Sequence, residues 1–142
     1  MKTVRHNTFE TNSSSSHSLT ISGKVIRPSK LKDTNTYTIY GGEYGWGYET
    51  YSDPVSKISY TAVEALSTNN ETLKDWLEEI IKEMYKVDDV VYEFSTDYNG
   101  PNHSYIDHQS YGTVADSVSS KDDLEHFLFG DNSVLTIDND NH

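Results

Sequence analysis

The chain has 142 residues, 34% of them hydrophobic, with eleven Lys and Arg against twenty-three Asp and Glu, a formal net charge of −12 and no cysteine. A chain of this length builds one domain around one core, burying roughly two thirds of the surface its unfolded form exposes. The charge disfavours direct binding of DNA or RNA, whose phosphates it repels, and the missing cysteine excludes disulfides, thiolate nucleophiles and Cys-based zinc sites.

Eleven Tyr, four Phe and two Trp supply large apolar area, so an aromatic-rich core is expected despite the polar average. Met1 to Thr8 carries basic residues with no apolar stretch after them, and no segment approaches the ~18 apolar residues of a membrane span. The expected compartment is the cytoplasm. An acidic surface also suits a basic partner, because opposed fields steer encounter and set register.

In chain order, His17 to Ser22 alternates polar and apolar side chains and predicts a strand with Leu19 and Ile21 on its buried face. Gly23 to Asn35, with Pro28 and several Lys, reads as an exposed connection to a second strand over Thr36 to Tyr40, and the two strands suggest a hairpin-like pair. Gly41 to Tyr48 holds four glycines among Tyr44, Trp46 and Tyr48, and predicts a loop carrying aromatics.

Asp53-Pro54 is an N-cap followed by proline at the first helical position. Val55, Ile58, Ala62, Ala65 and Leu66 then recur at helical spacing. Asn69 or Asn70 caps a second helix whose stripe is Leu73, Trp76, Leu77, Ile80, Ile81, Met84 and Val87. A strand follows through Val90, Tyr92 and Phe94, then a turn at Asn99-Gly100-Pro101 and a short strand within Ser104 to Ser110. After a polar stretch Ser120 caps a short helix with Leu124, Phe127 and Leu128 on one face, and Ser133 to Ile137 reads as the last strand. The order predicts an α+β domain over residues 1–142: a small mixed or antiparallel sheet of four to five strands covered by about three helices.

Three polar constellations could carry chemistry. Between Phe9 and Ser18 lie six hydroxyls with Asn12, Glu10 and His17. Asn12, Ser14 and their neighbours in a Ser-rich bend could cradle a small anion with Arg5 as a planar clamp, or could only bond their own backbone. His17 could serve a serine as base, although no nucleophile-elbow pattern surrounds it. The 41–51 loop could present Tyr44, Trp46 and Tyr48 as stacking faces flanked by Glu43 and Glu49, or could tuck Trp46 into the core. Asp107-His108-Gln109 groups an acceptor, a titratable ring and an amide, but on a strand His108 would face away from the other two. No metal and no cofactor is expected; Asp138-Asn139-Asp140 lacks the glycine and terminal glutamate of a calcium loop.

The run Arg5-His6-Asn7-Thr8-Phe9-Glu10-Thr11-Asn12-Ser13-Ser14-Ser15-Ser16-His17-Ser18 resembles the opening of a set of uncharacterised proteins of tailed phages and prophages. Gly42 to Gly47, Ile106 to Ser110 and Phe129 to Ser133 are also similar to segments of that set. The resemblance implies a viral or mobile-element origin and a bacterial cytoplasm as workplace. It carries no assigned reaction and therefore no catalytic residue.

The expected function is that of a phage-encoded accessory protein that binds a host bacterial protein with a basic surface, for host takeover or against a defence system, without catalysis. The alternative is a protein binding a nucleotide or phosphorylated small ligand, with or without hydrolase or transferase activity. There Arg5 and the serines hold the anion, Trp46 or Tyr48 stacks, and His17 or His108 exchanges protons.

Overall fold

The computed structural model describes residues 2–7, 15–45, 47–97, 100, 102–106 and 112–139. The chain is α+β, as its pattern predicts. Among the described residues the strands are β1 (Lys2–Asn7), β2 (Ser15–Ile21), β3 (Thr36–Tyr40), β4 (Glu43–Tyr44), β5 (Glu49–Tyr51), β6 (Asp89–Glu93), β7 (Tyr105–Ile106) and β8 (Val134–Asn139). The helices are α1 (Pro54–Ser67), α2 (Glu71–Tyr85), α3 (Thr113–Ser117) and α4 (Lys121–Phe129).

The predicted caps set the helix starts. Asp53 accepts from the Ser56 amide at 2.8 Å, Asn70 from Leu73 at 3.0 Å, and Ser120 from Asp123 at 3.1 Å. Each bond satisfies an amide that the first turn leaves without a helical partner, for about 1 kcal/mol. On α2 the stripe from Leu73 to Met84 is buried, apart from a half-buried Trp76. On the adjoining flank Lys74 sits 3.1 Å from Glu78, which accepts the Tyr92 hydroxyl at 2.7 Å and so ties α2 to β6. Helix α1 departs from a one-sided stripe: Val55 is exposed, while every residue from Lys57 to Ala65 is buried.

That departure follows from where α1 lies. It contacts β3 and β7 on one side, while Tyr60 reaches His17 of β2 and Lys57 reaches the Ser133 carbonyl just before β8. A helix covered on several sides keeps no solvent face between Lys57 and Ala65.

The largest sheet is antiparallel, in the order β1-β2-β8-β5. Its inner residues His17, Leu19, Ile21, Leu135 and Ile137 are buried. Strand β1 escapes the sequence pattern because Val4 is its single apolar residue; it is a strand by pairing with β2.

The expected pairing of the 17–22 and 36–40 strands is wrong. Both neighbours of β2 are taken by β1 and β8, and β3 pairs in parallel with β6. A parallel pair needs a long crossover, which here includes α1 and α2. The connection after β2 leaves towards α4, where the Ile26 amide donates to the Phe129 carbonyl at 2.9 Å.

Strands β3 and β6 diverge at their ends. Residues 102–106 insert there: Ser95 bridges His103, and β7 pairs in parallel with β4. The insertion needs a residue without a side chain at position 41, since a Cβ on Gly41 would stand 2.1 Å from Ser104 Oγ and 2.7 Å from Phe94 Cγ. Gly41→Ala is expected to lower stability by about 1.5 kcal/mol through overpacking. Urea denaturation checks this, and an unchanged midpoint contradicts so close an approach.

Candidate functional site

Two of the polar segments meet beneath the large sheet. Strand alternation turns His17 inward, where it is fully buried and its Nδ1 lies 2.6 Å from the Tyr60 hydroxyl. The Tyr60 ring meets Tyr44 edge-on, with centroids 5.1 Å apart. Tyr44 donates its hydroxyl to Ser59 Oγ at 2.9 Å and packs edge-on against Tyr51, 5.7 Å away. Tyr51 in turn donates to Glu49 at 2.6 Å. A continuous file of rings and hydroxyls therefore joins the serine-histidine strand to the aromatic loop.

Register tells the same story from the backbone. His6, His17, Ile137 and Glu49 lie side by side across β1, β2, β8 and β5. Arg5 pairs with Ser18, one step along. Part of the expected serine bend is regular strand, since Ser15 and Ser16 pair with Asn139 and Asp138. Asn12, Ser14, Trp46, Asp107, His108 and Gln109 lie outside the described residues.

The outward groups differ in kind. Glu43 and Tyr48 are exposed, and the Tyr105 hydroxyl lies 3.5 Å from the Glu43 carboxylate. Tyr44 is 7% exposed, and burial raises its phenol above the ordinary range despite the bond to Ser59. His17 and Tyr44 are thus anchors within the core, and proton exchange between His17 and a ligand needs access that its burial withholds. Among the described residues no three His, Asp or Glu gather as a metal requires. No described helix is long and apolar enough to cross a membrane.

Tyr60→Phe is expected to cost about 1 kcal/mol, because the buried imidazole loses its phenol partner. Thermal melting checks this; a variant that melts with the parent contradicts a structural role for the pair.

Two buried charges on α1 escape sequence reasoning. Lys57 donates to the Ser133 carbonyl at 2.8 Å and lies 5.5 Å from the Phe127 ring centroid. Burial pushes its ammonium down to about 8, against the opposing field of Asp53. Glu64 accepts from the Val114 and Ala115 amides at 2.8 and 2.9 Å. Those are first-turn amides of α3, whose N-cap Gly112 has no side chain to offer. Burial pushes the Glu64 carboxyl up to about 7, outweighing the two amides, which favour the charged form. The only sequence signal is their shared position, residues 57, 60, 61 and 64 recurring at one-face spacing.

No protein-family model, curated protein or solved structure matches the chain.

Proposed function

We propose that the chain is a non-catalytic accessory protein, of the kind phages and prophages encode, that works in a bacterial cytoplasm by binding a host protein with a basic surface. The observation that carries this reading is an acidic ridge. Glu71, Asp75, Glu79 and Glu83 recur every fourth residue along α2 and all are exposed. Spacing of four keeps them on one side of the helix over roughly 18 Å. Lys82 and Lys86 are also exposed on this side and Lys121 of α4 pairs with Glu79 at 3.1 Å, so the acidic excess of the ridge lies in its first two turns, around Glu71 and Asp75, within a chain of net charge −12.

Such a ridge repels nucleic acid and attracts a basic protein at long range, with an on-rate that falls as salt rises. Its test is capture from bacterial lysate at low and at high salt, using the parent and a variant carrying Glu71→Gln, Asp75→Asn, Glu79→Gln and Glu83→Gln. The expected result is one stoichiometric basic partner, reduced by salt and by the variant. Equal recovery by both proteins, or no stoichiometric partner, overturns the reading.

A further inference from the structure

The two-stranded sheets β3-β6 and β4-β7, joined through the Ser95–His103 bridge and the Tyr105 amide on the Gly42 carbonyl, form one small sheet surface with one face against the helices and one turned away from them. Tyr37, Ile39, Tyr44, Ser104 and Ile106 are buried on the helix side, where Val90, Tyr92 and Phe94 also pack. The alternate residues look outward, with Tyr40 67% and Val91 40% exposed. Parallel register sets Thr38 beside Val91 and Tyr40 beside Glu93. The outward strip continues through Ser95, which bridges His103. The His103 ring stacks on Tyr105 at 5.4 Å, and Tyr105 pairs with Glu43.

This strip sets aromatic rings beside carboxylates. Its outward positions include Glu43, Asp89 and Glu93 and hold no Lys or Arg. Exposed Tyr beside apolar surface is the composition of interface anchors rather than of ordinary surface. A second copy of the chain is a poor occupant, because carboxylates would face carboxylates. Phosphate groups meet the same repulsion. A guanidinium satisfies both features at once: it lies flat on a phenol ring and offers a planar fork of N–H donors to a carboxylate. An ammonium, compact and strongly hydrated, does this less well.

We propose that the outward face of this sheet docks an arginine-bearing segment of the partner protein, with guanidinium groups over Tyr40 and Tyr105 and their N–H groups on Glu43 and Glu93. The inference rests on the proposed function and names where and by what chemistry the partner is held. The α2 ridge supplies the long-range field; the sheet face supplies selection of arginine over lysine.

The test titrates the full chain against a labelled Gly/Ser-spaced peptide carrying several arginines and against its lysine twin, read by fluorescence anisotropy. The arginine peptide is expected to bind about tenfold more tightly. Tyr40→Ala with Glu93→Gln, both at exposed positions, is expected to remove that preference, while neutralising the α2 ridge weakens both peptides alike. Equal affinity for the two peptides, or a preference that survives Tyr40→Ala with Glu93→Gln, overturns the proposal. Sedimentation showing a dimer that Tyr40→Ala dissolves overturns it in favour of a second copy as occupant. Capture from lysate that depends on the ridge but ignores Tyr40 and Glu93 sinks this inference and leaves the proposed function standing. Arginine binding that depends on the face, with no partner in lysate, does the reverse.

Discussion

At pH 5, Glu64→Ala is expected to lower the unfolding free energy by about 3 kcal/mol, the sum of a cavity and of amides left unpaired in the core. Glu64 is fully buried, and its two oxygens hold the Val114 and Ala115 amides of a five-residue helix. Helix α3 packs against β1 and β2, so losing its cap loosens the cover over the strand that holds His17. The isosteric Glu64→Gln keeps one acceptor and removes the charge.

Glu64→Gln also shows how pH acts. In the fold the carboxyl sits at about 7 against 4.5 when solvated. The folded state therefore binds the proton more tightly. The stability this contributes is complete below 4.5, drains as pH rises towards about 7, and is gone above it. Parent stability should thus fall relative to Glu64→Gln by about 3 kcal/mol between pH 4.5 and pH 8. Urea denaturation across that range checks it, and parallel profiles contradict a neutral Glu64 in acid.

Lys57→Met is expected to raise stability by about 2 kcal/mol at pH 7, since replacing a buried charge with an apolar side chain of similar volume removes its desolvation cost. The ammonium has the Ser133 carbonyl and the face of Phe127 near it, and burial still pulls its pKa from 10.5 to about 8. The sign is opposite in form to that of Glu64. Stability is fully present above 10.5, is lost as pH falls to about 8, and stays lost below. The gain from Lys57→Met should therefore be largest at or below pH 8 and shrink towards pH 10. Thermal melts of both proteins across pH 6 to 10 check this; a loss of stability at every pH shows that the bond to Ser133 outweighs burial. Either result bears on why a core helix keeps charges that work against folding, a cost more often carried at sites of function than elsewhere.

Much of the fold was legible because the local signals agreed. Asp53-Pro54, Asn70 and Ser120 cap helices whose apolar spacing is regular, and β2, β3, β6 and β8 alternate cleanly. What sequence could not show was long-range pairing. The partner of β3 lies beyond two helices, and β1 is a strand through its register with β2. Helix α3, inside a stretch that reads as polar, depends on a carboxylate from α1 rather than on its own Gly112.

The candidate site divides in the same way. His17 shares its strand face with Leu19 and Ile21, so its inward turn is legible in the alternation, but only the packing shows that Tyr44 turns inward and that the two meet through Tyr60. Nothing in the sequence marks Lys57 and Glu64 as buried, because charge on a helix usually belongs to its solvated face. Tyr40 and Val91 passed as strand residues. Their outward direction gains meaning only when β6 is placed beside β3 and β7 beside β4.

Hydrogen exchange on the complex captured from lysate tests the account most directly. Protection is predicted along α2 and over residues 36–44 and 89–95. Protection confined to the outer face of β1, β2, β8 and β5, with α2 and β6 exchanging as in the protein alone, would contradict it.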